Sequence, residues 1–132
     1  MKTLLVLEDE SAVMKLLQLM LKQYSVVEAA TADQALELFT HRLRPIDLLL
    51  ADVSLPKSSG IQVALLLRAQ APDLPVILTS GYPVSGWSAR DVVDLERLGS
   101  DSVTIVRKPF QAQALREAVR EMLPEIARTA SS

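Results

Sequence analysis

Residues 46–52 read IDLLLAD, and the next eight read VSLPKSSG. An uninterrupted run of leucines closed by an acid is the pattern of a strand covered on both faces, as in a parallel sheet between two helix layers. Pro56, Ser58 and Ser59 then supply turn chemistry between Val53 and Gly60. The same pattern recurs on either side. Leu4-Leu5-Val6-Leu7 ends in Glu8-Asp9-Glu10, Pro75-Val76-Ile77-Leu78 closes on Thr79-Ser80-Gly81, and Val103-Thr104-Ile105-Val106 closes on Arg107-Lys108-Pro109. Ser25–Ala29 is a further strand, less uniformly apolar and so placed nearer an edge.

Segments of helical period separate these runs. From Ser11 the apolar positions Val13, Leu16, Leu17 and Met20 follow the i, i+3, i+4, i+7 spacing of one helix face. Thr31-Ala32-Asp33-Gln34 offers a capping box, with Thr31 as N-cap, before a helix carrying Ala35, Leu36, Leu38 and Phe39. That helix should stop before Pro45. Ile61–Gln70 is a helix with Ile61, Ala64, Leu65 and Arg68 on successive turns. Val92, Val93, Leu95 and Leu98 suggest another from about Ser88, its ends blurred by Pro83, Gly86 and Gly99. A last helix runs from about Gln111 to Leu123, with Pro124 at its end and a short tail over 125–132. The order is β-α five times, which predicts an α/β fold, a doubly wound five-stranded parallel sheet with helices on both faces.

Composition narrows the function. The 132 residues are 49% hydrophobic and 23% charged, which fits one domain and excludes a disordered chain. Fourteen basic against 16 acidic residues give a net charge of −2, so no nucleic-acid partner is expected. The chain has no cysteine and one histidine, His41, which excludes a thiolate metal site, a cysteine nucleophile and a multi-histidine centre. His41 sits at a helix end and receives no catalytic role. No apolar run approaches the ~18 residues of a membrane span. Leu4–Leu7 is too short for a signal peptide, so a cytoplasmic location without membrane attachment is the expectation.

In an open parallel sheet, ligands bind beyond the carboxyl ends of the strands. Those ends carry Glu8 and Asp9, Asp52, Thr79 and Lys108. Crowded carboxylates repel unless a cation resolves the conflict, and hard oxygen ligands favour Mg2+ or Mn2+. Mg2+ keeps positions open for phosphoryl oxygens, while the Lys108 ammonium and Thr79 hydroxyl can meet others. This is a site for phosphoryl transfer onto a carboxylate, with Asp52 as acceptor.

LLVLEDE (4–10), DLLLADVSLPKSSG (47–60), VILTSGYP (76–83) and VRKPF (106–110) stand in the order of the response-regulator receiver domains of two-component signalling, which the chain resembles over essentially its whole length. The resemblance implies a flavodoxin-like strand order 2-1-3-4-5. It implies that a histidine kinase or phosphotransfer protein phosphorylates Asp52. Mg2+ would be held by Glu8, Asp9, Asp52 and the Ser54 backbone carbonyl. Thr79 would turn toward the phosphoryl group, Lys108 would pair with it, and the Lys108–Pro109 bond would be cis. Many receivers carry an aromatic three residues before the lysine; here that residue is Ile105. Gly99-Ser100-Asp101-Ser102 likewise replaces the usual Gly-Ala step.

The expectation is therefore a stand-alone receiver, one domain over 1–132. It would catalyse only its own phosphorylation and dephosphorylation. Twenty-three residues follow Pro109, enough for the last helix and a tail. The signal would pass to a downstream protein by docking, by relay, or by homodimerisation through the last helix and its neighbours. Three rivals stand beside it. A phosphohydrolase would need an acid where Ser54 stands, and a flavin carrier would need a phosphate loop where the first acids stand. A receiver-fold scaffold would act without phosphorylation. Glu10 reads as a capping or solvated acid, and Tyr82 and Trp87 as partner contacts or loop packing.

Overall fold

The computed structural model describes residues 1–123. Pro124 and the expected tail lie outside them. Ten elements alternate: β1 (Thr3–Leu7), α1 (Ser11–Met20), β2 (Ser25–Ala29), α2 (Ala32–Thr40), β3 (Leu48–Asp52), α3 (Gly60–Gln70), β4 (Val76–Ser80), α4 (Ala89–Leu98), β5 (Val103–Arg107) and α5 (Ala112–Met122). A 3-10 turn at Val84–Gly86 precedes α4. All strand pairs are parallel, in the order β2-β1-β3-β4-β5, so β2 does lie at an edge.

Every residue of β1, β3 and β4 is buried, which accounts for their near-continuous apolar runs. Because side chains alternate across a strand, each run feeds two cores. Leu5, Leu7, Leu49, Ala51, Val76 and Leu78 pack with α2 and α3 residues such as Phe39, Ile61 and Leu67. Leu4, Val6, Leu48, Leu50 and Ile77 face the other way, against Met14 and Leu17 of α1 and Leu115 and Val119 of α5.

Local chemistry sets the helix ends. Thr31 Oγ1 accepts from the Gln34 N–H at 3.1 Å, and Gln34 Oε1 reaches back to the Ala30 N–H at 2.7 Å, completing the expected box one residue early. Ser59 and Ser88 cap α3 and α4 in the same manner. Three expectations shift, the third at Arg68. The buried side of α1 is Met14, Leu17 and Met20, while Leu16 is 46% exposed. This helix is apolar on most sides, and its seat against the sheet and α5 selects the face. β3 begins at Leu48 rather than Ile46 because Asp47 bonds Thr3 twice. Its N–H donates to Thr3 O and its carboxylate accepts from Thr3 N, both at 2.8 Å.

Arg68 does not extend the apolar face of α3. Its guanidinium donates to the carbonyls of Leu74, Leu98, Asp101 and Ser102 at 2.9–3.0 Å. It thereby ties the end of α4 and the turn into β5 to α3. That turn holds Gly99 at φ 84° and Ser102 at φ 57°, and the Arg68 bonds fix a conformation that a serine seldom adopts.

Candidate functional site

Alternation places the chemistry on one side of the sheet. Glu8 continues the Leu4-Val6 side, Asp52 the Leu48-Leu50 side and Thr79 the Ile77 side, all facing the layer of α1 and α5. Asp52 and Thr79 are register partners on adjacent strands. Glu8, Asp52 and Thr79 are 2%, 5% and 3% exposed, whereas Asp9 is open to solvent.

Lys108 arrives from the far strand, one residue beyond β5, with its N–H bonded to Ser80 O at 2.8 Å. Its ammonium donates to Glu8 Oε1 at 2.9 Å and to Asp52 Oδ2 at 3.0 Å. The bond to Pro109 is cis, as the resemblance implies. Asp52 Oδ1 accepts from the Ser54 N–H at 2.9 Å, and Glu8 Oε2 from the Glu10 N–H at 3.1 Å. Glu10 itself stands at the N-cap of α1 without a side-chain capping bond, so the solvated reading holds. Burial holds the Glu8 carboxyl above the ordinary glutamate value, against the opposing pull of Lys108. Burial pulls the Lys108 ammonium down, but its bonds and charges with Glu8 and Asp52 outweigh this and raise it.

Glu8, Asp9 and Asp52 each offer an oxygen within 4.8 Å of the others. Opposite oxygens on Mg2+ lie roughly 4.2 Å apart, so three such donors suit a small hard cation. Charge agrees: three carboxylates face one ammonium, leaving two negative charges when all ionise. Glu8 and Asp9 also line a cavity of about 350 Å³ between α1 and the β2–α2 turn. A larger one, about 650 Å³, lies at the opposite strand ends beside Thr3, Ser25 and Asp47 and touches none of these groups.

Two roles escaped the sequence reading, the clearance at Gly60 and the bonds that Ser80 makes. A Cβ on Gly60 would meet Asp52 O at 2.3 Å, so α3 starts with glycine because it abuts the strand end carrying Asp52. Ser80 and Trp87 form a hydrogen-bonded knot on the opposite side of β4. Trp87 packs at the edge of the core, whereas Tyr82 is 64% exposed. A glycine directly after a serine pair was a visible signal, but no spacing rule announces the Ser80–Trp87 pair.

Residues 4–120 match the response regulator receiver domain model, and the chain belongs to that family. The probable transcriptional regulator ycf27 of Cyanidium caldarium is 35% identical over 125 residues, covering 93% of this chain and 47% of that protein. The sensor kinase CckA of Brucella abortus is 32% identical over 123 residues, covering 92% of this chain and 12% of that protein. The chain thus spans less than half of the one and a small part of the other. Among solved structures, the response regulator TrrA of Thermotoga maritima, in complex with Mg2+–BeF, superposes with a TM-score of 0.75. It is 28% identical, with 93% of this chain and 100% of that one covered. Among the described residues, no helix is long and apolar enough to cross a membrane.

Proposed function

We propose that Asp52 accepts a phosphoryl group from the phosphohistidine of a histidine kinase or phosphotransfer protein, and that this change of state controls docking to a downstream protein. The observation that supports it most is the Lys108 ammonium, 2.9 Å from Glu8 and 3.0 Å from Asp52, which joins three strand ends around one carboxylate.

The Ser54 N–H and the Lys108 ammonium orient the Asp52 carboxylate, each bonded to a different oxygen. One oxygen attacks phosphorus; the P–O bond forms as the P–N bond of phosphohistidine breaks, and the imidazole leaves with the electron pair. Lys108 then neutralises charge on the transferred group, and the Thr79 hydroxyl, on the neighbouring strand, donates to one of its oxygens. Glu8, Asp9, Asp52 and the Ser54 carbonyl would hold Mg2+, which would supply positive charge for the phosphoryl oxygens.

The test is labelling by acetyl phosphate in Mg2+, followed by intact-protein mass spectrometry. The wild type should gain one phosphoryl group and Asp52→Asn none; an equally labelled variant would remove Asp52 from the role. Stoichiometric labelling without turnover of phosphate esters separates this reading from the phosphohydrolase.

A further inference from the structure

Ser80 is 1% exposed and follows Thr79, so its side chain points to the opposite side of the sheet, toward α3 and α4. Its hydroxyl is fully used. It donates to Tyr82 O at 2.9 Å and accepts from the Tyr82 N–H at 3.0 Å and the Trp87 indole N–H at 3.1 Å. One donor and two acceptor sites are all that a hydroxyl has. The indole N–H is shared with Tyr82 O at 3.1 Å. Trp87 immediately precedes Ser88, whose Oγ caps α4 by accepting from the Asp91 N–H at 3.1 Å. On its other side, Ser80 is tied to the acidic site through its carbonyl, which accepts from Lys108 N at 2.8 Å. Thr79 O, one peptide away, accepts from Val53 N at 2.9 Å, next to Asp52.

We infer that Ser80 and Trp87 are positioning residues that carry the state of Asp52 across the sheet to the first turn of α4. The inference rests on the phosphoacceptor reading above. A backbone movement of Thr79 or Lys108 toward a phosphoryl group displaces the Ser80 backbone, which is joined to both. Ser80 cannot move without breaking or dragging the indole bond, because its hydroxyl has no spare site for water. Ile105 packs on the same side of the sheet but carries no polar group to pass such a movement on. Arg68 holds the far end of α4 through Leu98 O, so motion entering at Trp87 becomes a pivot rather than a translation.

Trp87 is the sole tryptophan, so its indole N–H gives one resolved nitrogen–proton NMR signal. With Mg2+ and beryllofluoride, 19F NMR reports occupancy independently. Loading of the wild type should shift the indole signal and the Asp91 and Val92 amides. Loaded Ser80→Ala should keep the shifts at Ser54 and Thr79 and lose those at Asp91 and Val92. Trp87→Phe, which keeps a ring without the N–H, should show the same loss and serves if Ser80→Ala does not fold. Undiminished Asp91 and Val92 shifts in the loaded variants would overturn the inference and leave the phosphoacceptor reading intact. Failure of the wild type to bind beryllofluoride would instead refute the phosphoacceptor reading, and this inference with it.

Discussion

The Lys108 ammonium holds acids from two strands, and the acid that it meets at 2.9 Å, Glu8, is the most buried of the three. The Glu8 carboxyl titrates above its ordinary 4.5. Below that value both folded and unfolded chains carry the proton. As pH rises, the unfolded chain releases it first, so this group's contribution to stability is present at low pH and lost as pH rises through the folded value. The stability of the wild type relative to Glu8→Gln should therefore fall from about pH 4.5 upward. Urea unfolding across a pH series checks this, and a flat difference would contradict it. Gly60→Ala places a methyl against Asp52 O. It should cost about 1–3 kcal/mol and slow acetyl phosphate labelling, because the displaced backbone is that of Asp52 itself.

Among the elements, α4 depends on the others most visibly. It is capped by Ser88 at one end and tied by Arg68 at the other. Arg68→Ala removes the donors for four carbonyls at once. We expect a loss of about 2–3 kcal/mol, less than four independent bonds would give, because water reaches some of the freed carbonyls. Faster hydrogen exchange confined to residues 95–103 would accompany it. Thr31→Ala, which deletes one half of the α2 capping box, should cost about 1 kcal/mol. Differential unfolding measures both. The contrast between them is instructive. The Thr31–Gln34 box is visible as a four-residue motif, whereas Arg68 reads as one more position on a helix face. Its partners lie up to 34 residues away.

For the molecule as a whole, the parallel sheet is the device that gathers the site. All five strands end at one edge, four of them beside site residues, and alternation aims Glu8, Asp52 and Thr79 to the same side. A divalent cation bound there stabilises the folded chain and not the unfolded one, where the acids are far apart. Mg2+ at a hundred times its Kd should add about 2.7 kcal/mol to the wild type. It should add little to a variant with Asp9→Asn and Asp52→Asn together. Thermal unfolding with and without Mg2+ measures this, and equal shifts in both proteins would place the ion elsewhere.

Much of this was legible in the residues themselves. Continuous apolar runs closed by Asp52, Thr79 or the Glu8-Asp9 pair fix strand identity, a two-sided sheet and the edge where ligands gather, because burial on both faces and chain alternation are local properties. The face of α1, the start of β3, the work of Arg68 and the Ser80–Trp87 link were not legible. Each depends on which atoms of a distant segment arrive within bonding or contact distance. An amphipathic period states that a helix will bury a side, but only the surface it meets decides which side. A hydroxyl or guanidinium acquires its role from the carbonyls and N–H groups that packing brings to it.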